Sequence, residues 1–238
     1  MNISVCIATF NGAKYIEAQL TSILNQLGKD DEVIVSDDSS TDNTIEVIRQ
    51  FNDNRIKLFT NQNFRSPIFN FEFAISKASG QYIFLSDQDD IWKENKIKVT
   101  LDYLKNYNLV VSDCNIIDGN DNELFPSFYL VNKSAPGFIA NLKRNSYLGC
   151  CLAFDQTIKQ AILPFPKHIA MHDIWIGLLT ELIGKSIFIP DKLISFRRHT
   201  SNFSPTSQRS NFSIFFKIGY RIQFLIYLFL RILKLKIR

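Results

Sequence analysis

Three carboxylates stand within four residues in the run Leu85-Ser86-Asp87-Gln88-Asp89-Asp90-Ile91-Trp92. The run follows Gln81-Tyr82-Ile83-Phe84, which reads as a buried strand. Like charges so close repel, and partial burial adds a desolvation cost. A divalent cation removes that cost. An all-oxygen donor set suits Mg²⁺ or Mn²⁺, above all when a substrate phosphate completes the coordination. The simpler alternative is an acidic loop that caps the next helix.

Four further clusters have side chains suited to chemistry. Thr9-Phe10-Asn11-Gly12 follows the first apolar strand, and its small and polar residues allow close backbone approach to a ligand, or form an ordinary turn. Asp37-Asp38-Ser39-Ser40-Thr41-Asp42 follows the second strand. Ser40 or Thr41 suits an N-cap, but capping leaves the two acids before it unexplained. A carboxylate there can accept hydrogen bonds from a nucleobase or ribose. Met171-His172-Asp173-Ile174-Trp175 opens a helix. Asp173 is either a first-turn acid favoured by the helix dipole or a general base facing a hydroxyl. Trp175 is either core or a platform for a sugar ring, and Trp92 is a second candidate platform. Phe196-Arg197-Arg198-His199 ends a strand. Its cations suit a phosphate-bearing leaving group, or form a solvated charge cluster.

The elements that position these residues alternate. Strands are expected at Ile3–Ala8, Glu32–Ser36, Arg55–Phe59, Gln81–Leu85 and Leu109–Ser112. Helices are expected at Ala13–Asn25, Thr41–Phe51, Phe69–Ser79 and Asn95–Tyr107. Such βαβ alternation implies an α/β fold, Rossmann-like, with a mostly parallel sheet covered by helices on both faces. Ligands then bind beyond the carboxyl ends of the strands, where the acidic clusters fall. Residues 114–146 read as a polar connection long enough to contact substrate. Beyond it, Tyr147–Phe154, Ile187–Ile189 and Leu193–Arg197 read as strands, and His172–Ile183 as a helix closed by Gly184.

The chain has 238 residues, 46% of them hydrophobic, enough for one large domain or two small ones. Net charge is +4, yet residues 211–238 carry six bases and no acid, so the remainder is slightly acidic. That distribution argues against a nucleic-acid binder. No basic segment with an apolar stretch precedes the first strand, so no secretory leader is expected. Cys6, Cys114, Cys150 and Cys151 lack metal-site spacing and are expected as free thiols in a reducing cytoplasm. In the C-terminal stretch Lys217, Arg221, Arg231, Lys234 and Arg238 share roughly 140° of a helical wheel. A basic amphipathic helix lying on an anionic membrane is expected, with packing on the domain or another subunit as the alternative.

Taken in order, SVCIATFNGAKYI, VIVSDDSSTDNT, FLSDQDDIW, MHDIW and FRRHTSN resemble the family 2 glycosyltransferases of the GT-A fold, closest to bacterial rhamnosyltransferase-like members that build surface polysaccharides. The resemblance spans about residues 3–203. It implies a GT-A domain over 1–205, with a nucleotide-binding half (1–113) and an acceptor-binding half (114–205), followed by a membrane-associating tail (206–238). It implies that Thr9, Asn11, Asp37 and Asp38 hold the nucleotide. Asp87 and Asp89 become the D-x-D pair, Asp89 the direct metal ligand and Asp87 nearer the sugar. Asp173 becomes the base, and Arg197, Arg198 and His199 face the diphosphate. Trp175 and Trp92 would contact the acceptor. The implied reaction is metal-dependent, inverting transfer from dTDP-rhamnose or a UDP-hexose to a lipid-linked saccharide at the inner face of the plasma membrane. Three features depart from the family pattern. Ser39 stands where Gly is usual, Trp175 lies two residues after Asp173, and Arg198 adds a charge. A phosphoryl- or nucleotidyl-transfer enzyme is disfavoured by the lack of a P-loop, and a non-catalytic binding member by the retained acids.

Overall fold

The computed structural model describes residues 2–199 and 214–236, with side chains of the last helix described from residue 219. Among the described residues nine strands form one sheet. They are β1 (Ile3–Thr9), β2 (Glu32–Asp37), β3 (Ile56–Phe59), β4 (Tyr82–Asp87), β5 (Ile91–Trp92), β6 (Leu109–Ile117), β7 (Glu123–Phe125), β8 (Leu152–Asp155) and β9 (Ser186–Arg197). The order is β3-β2-β1-β4-β8-β6-β9-β5, with β7 beside β6. β3, β2, β1 and β4 are parallel. β8 runs antiparallel between β4 and β6, so β6 and its parallel partner β9 keep the direction of β4. The expected mostly parallel sheet therefore holds, interrupted by β8 and edged by short antiparallel β5 and β7. One sheet crosses the expected boundary at 113, since β6 contains that residue.

The helices are α1 (Ile16–Leu24), α2 (Thr44–Gln50), α3 (Pro67–Lys77), α4 (Lys96–Leu104), α5 (Phe128–Asn132), α6 (Phe138–Lys143), α7 (Gln156–Ile162), α8 (His172–Ile183) and α9 (Ile214–Lys236). Strand alternation divides the core. Val5, Ile7 and Phe84 join α1, α2 and α4 on one face, while Cys6, Ile83 and Leu85 join α3, α7, α8 and α9 on the other. Local chemistry sets several helix starts. Pro67 occupies the first turn of α3, and Ser127 and Asp155 cap α5 and α7 by accepting from Leu130 N and Ile158 N.

The structure departs from expectation where tertiary contacts decide. Tyr147–Phe154 is not one strand: Gly149–Cys151 forms a 3₁₀ turn before β8. The polar connection folds into β7, α5 and α6. The two expected strands at 187–197 are one, with register shifts against β6. Gly184 ends α8 in extended rather than left-handed backbone, and its bare Cα admits Asn108, whose Oδ1 would lie 2.7 Å from a Cβ. All four cysteines are free and buried.

The tail reverses its expected orientation. Arg221 donates to the carbonyls of Leu142 and Lys143, and Arg231 to those of Ala161, Leu163 and Pro164. Phe224 and Leu228 are buried on the same side. The arc expected to meet a membrane faces the domain. Of its other members Lys234 is exposed, while the side chain of Lys217, Arg238 and the junction at 205–206 lie outside the described residues.

Candidate active site

The carboxyl ends of β1, β2 and β4 converge through side-chain to backbone bonds. Asn11 adopts a left-handed φ of 50°, tolerable for Asn. Its Oδ1 accepts from Thr41 N at 2.8 Å, and its own N–H donates to Ser40 Oγ at 2.8 Å. Gln88 clasps the same loop at two points: Phe10 N donates to its Oε1 at 2.9 Å, and its Nε2 donates to Phe10 O at 3.1 Å. Gly12 leaves the space Gln88 fills, since a Cβ there would lie 2.3 Å from Oε1.

The paired acids after β2 have different tasks. Asp37 is fully buried and accepts from Thr9 Oγ1, Ser40 N and Ser40 Oγ at 2.6–2.8 Å. The expectation that Asp37 and Thr9 contact the nucleotide directly is corrected on this point: their functional groups bond each other and shape the loop. Asp38 accepts from Phe64 N and Ser66 N, gathering the loop before α3. After them Ser39 holds the left-handed φ of 63° for which Gly is usual, and its hydroxyl donates to Gln62 O. The turn is thus kept without Gly.

At the end of β4 the acids crowd. Asp87 and Asp90 are both held above the usual carboxylate range, mainly by burial and then by the charge of Asp89. Asp173 adds to the repulsion on Asp87, so the base candidate lies within electrostatic reach of the acidic run. Asp90 Oδ1 accepts from Arg197 N at 2.9 Å, while its Oδ2 is buried without a hydrogen-bond partner among the described residues. Ligand atoms of Asp87, Asp90 and Cys150 lie within 4.8 Å of one another. Burial pushes the Cys150 thiol up, so it stays protonated and is a poor ligand. Asp89 Oδ2 lies 2.8 Å from His199 Nε2, and the His199 ring packs on Tyr15. These carboxylates, with the imidazole beside them and a buried oxygen left over, fit a hard divalent cation.

Arg197 is turned into the protein. It is 2% exposed, donates through Nε to Asp89 O and through Nη1 to Asp118 O and Asp121, and stacks over Tyr15. The assignment of Arg197 to the diphosphate is therefore corrected: it ties β9 to the acidic loop. Arg197→Ala is expected to lower unfolding stability by roughly 3 kcal/mol, because the buried Asp89 carbonyl loses a charged donor and the buried Arg197 side chain leaves a cavity. Urea denaturation checks this, and unchanged stability with weakened nucleotide binding would restore the phosphate role. Arg198 is half-buried, which pulls its pKa down, and no carboxylate of the described residues pairs with it. It is the cation available to an anion.

Asp173 opens α8. Burial raises its pKa to about 6, against the opposing hydrogen bonds from Ile174 N and Asn145 Nδ2. Asn145 is itself fixed by Tyr147, donating to its carbonyl and accepting from its N–H. Asn145 had no sequence signal within its polar stretch. The neighbouring His172 stacks on Phe71 and is held neutral by burial, its pKa lowered to about 4.

Neither tryptophan is a sugar platform. Trp175 is 0% exposed, donates Nε1–H to Ile162 O and receives Arg231 on its ring. Trp92 is buried between Phe84 and Lys96. Both acceptor assignments are corrected: these rings stabilise the core and the docking of α9.

A mostly parallel sheet with acidic residues gathered beyond its strand ends is where ligands bind in α/β folds. The family model "Glycosyl transferase family 2" matches residues 4–162, two thirds of the chain, and the chain belongs to that family. One relative is the UDP-Glc:alpha-D-GlcNAc-diphosphoundecaprenol beta-1,3-glucosyltransferase WfgD of Escherichia coli, 29% identical over 75% of this chain and 70% of the relative. Another is the dTDP-rhamnosyl transferase RfbG of Shigella flexneri, 36% identical over 51% of this chain and 43% of the relative. Among solved structures, S. aureus TarS 1-349 in complex with UDP aligns with a TM-score of 0.67 at 17% identity, over 94% of this chain and 71% of that one. Mannosyltransferase PcManGT from Pyrobaculum calidifontis, in complex with GDP-Man and Mn2+, aligns with a TM-score of 0.64 at 21% identity, over 84% and 58%. These structures share the GT-A fold with this chain.

Proposed function

We propose that this protein is an inverting, metal-dependent glycosyltransferase that moves a sugar from a nucleotide-sugar donor to a hydroxyl of a lipid-linked saccharide in cell-surface polysaccharide synthesis. The observation that carries the reading is the start of α8 lying against the turn beside the acidic run: His172 abuts Gly149, and Cys150 Sγ lies within 4.8 Å of the carboxylates of Asp87 and Asp90, which brings Asp173 within electrostatic reach of Asp87. A base near a cation-binding pair suits single displacement at an anomeric carbon. Asp173 accepts the acceptor's proton as that oxygen attacks C1 and the bond to the nucleoside diphosphate breaks. Asp87 and Asp89, with His199 beside Asp89, would hold Mg²⁺ or Mn²⁺, which when bound offsets charge on the leaving diphosphate. Arg198 supplies a further positive charge. The loops at 9–12 and 37–42, with Asn11 and Asp38 at their tips, form the nucleotide side.

The relatives' names support the substrate classes. They include a UDP-Glc and a dTDP-rhamnosyl enzyme, and WfgD acts on a diphosphoundecaprenol-linked sugar. Donors of either class, dTDP-rhamnose or a UDP-hexose, fit this proposal, as do reaction at the cytoplasmic face of the plasma membrane and a division into donor (1–113) and acceptor (114–205) halves.

A thermal-shift series with UDP, dTDP, GDP and CMP, each with and without Mn²⁺, tests the donor site. A nucleotide at 100 times its Kd adds about 2.7 kcal/mol, or about 5–10 °C for a chain this size. A metal-dependent shift with one nucleotide, lost in Asp89→Ala, is expected. No shift with any of the four would favour a non-catalytic member of the family.

A further inference from the structure

We infer that α9 seats the enzyme on an anionic lipid surface with its apolar face, not its basic one. On α9 the outward residues are Ile222, Leu225, Ile226, Phe229, Leu230 and Leu233, all exposed, with Phe229 at 63%. Taking 100° per residue, they span roughly 140° of the helix, opposite buried Phe224 and Leu228. The stripe runs about 17 Å along the axis. It contains no polar side chain, and a contiguous apolar surface of this kind marks an interaction site.

Charge selects the occupant. Lys234 and Lys236 are exposed beside the stripe, and residues 211–238 contain no acid. A second copy laid parallel on the stripe would bring Lys234 and Lys236 against their own counterparts. Anionic headgroups would instead neutralise the lysines while the apolar residues enter the acyl boundary. Among the described residues no helix is long and apolar enough to cross a membrane, so α9 would lie in the surface. The inward arginines serve this arrangement. Arg221 is bound to the end of α6 and Arg231 to the segment after α7, so the helix cannot roll to bury its apolar face on the protein. Arg221 also connects α9 to α6, which carries exposed Ile139 and leads into Ser146 and Asn145, the partner of the base.

The inference deepens the proposed reading by saying how the enzyme approaches a lipid-linked acceptor. Its test reads binding without catalysis, so either can fail alone. Full-length protein is sedimented with vesicles of phosphatidylglycerol and phosphatidylethanolamine, and with neutral phosphatidylcholine vesicles. Binding to the anionic vesicles is expected, reduced more than tenfold in Phe229→Asp/Leu230→Asp at unchanged Tm, and reduced and salt-sensitive in Lys234→Glu/Lys236→Glu. Arg231→Gln, by contrast, is expected to lower Tm, since its partners are protein carbonyls. Wild-type binding by the double Asp variant would overturn the inference. So would a dimer in size-exclusion with light scattering that the double Asp variant converts to monomer, with no vesicle binding by either protein.

Discussion

Asp173→Asn is expected to cut turnover by about 10²–10⁴-fold while leaving the nucleotide-induced thermal shift intact. The variant keeps the shape of the side chain and removes only its capacity to take a proton. The pH profile carries the second part of the expectation. Burial holds the Asp173 pKa at about 6, so kcat/KM of the wild-type enzyme should fall about tenfold per pH unit below that value. Asn145 donates to the carboxylate and so lowers its pKa. Asn145→Ala should therefore move the acid limb to higher pH, with activity recovering in alkaline buffer. Asp173→Asn should not recover at any pH. Stability has the opposite sign. The folded pKa lies above the ordinary 3.8, so the native state binds this proton more tightly than the unfolded chain. The contribution is fully present below pH 4 and is lost as pH rises through about 6. Above that pH, Asp173→Asn should be the more stable protein. A pH–rate profile and melting curves on the same variants check both statements, and unchanged turnover in Asp173→Asn would assign the base elsewhere.

Much of this site was legible because acids at the ends of parallel strands have few structural uses. The periodicity located β1, β2, β3 and β4 to within a residue or two, and the DxD run falls where the sheet delivers it. What sequence could not supply was direction. Arg197 and Arg198 are adjacent and identical in type, yet backbone alternation sends one into the protein. The partners that absorb it, Asp118 and Asp121, lie nearly eighty residues earlier in the polar connection. Trp175 reads equally as core or platform, and only the packing of α8, buried on most sides with Ile174 and Ile176, makes it core. The basic arc of α9 was correctly counted, but a long cation that finds backbone carbonyls at a helix end can face inward as readily as a leucine. The two-residue β5 exists only through its pairing with β9 and leaves no local periodicity.

Removing divalent metal should make the protein's stability fall with rising pH, and adding Mn²⁺ should abolish most of that slope. Asp87 and Asp90 are both held above the ordinary value of 3.8, by burial first and then by neighbouring acids. In the metal-free fold these protons are bound more tightly than in the unfolded chain, so stability is greatest in acid and is lost as each group is forced to ionise. A cation at Asp87 and Asp89 needs those carboxylates charged, so its affinity should rise over the same range. The Mn²⁺-induced rise in Tm is therefore expected to be small at pH 5 and to grow by several degrees by pH 8. Two variants separate repulsion from ligation. Asp89→Ala should lose the Mn²⁺ effect at every pH. Asp90→Asn removes a buried carboxylate whose Oδ2 has no hydrogen-bond partner among the described residues, while its remaining oxygen can still accept from Arg197 N. It should raise the metal-free Tm at pH 8 and keep a response to Mn²⁺. Calorimetric scans in EDTA and in Mn²⁺ across this range decide the matter, and a metal-free protein whose stability rises from pH 5 to pH 8 would show that the acidic run is already neutralised within the fold.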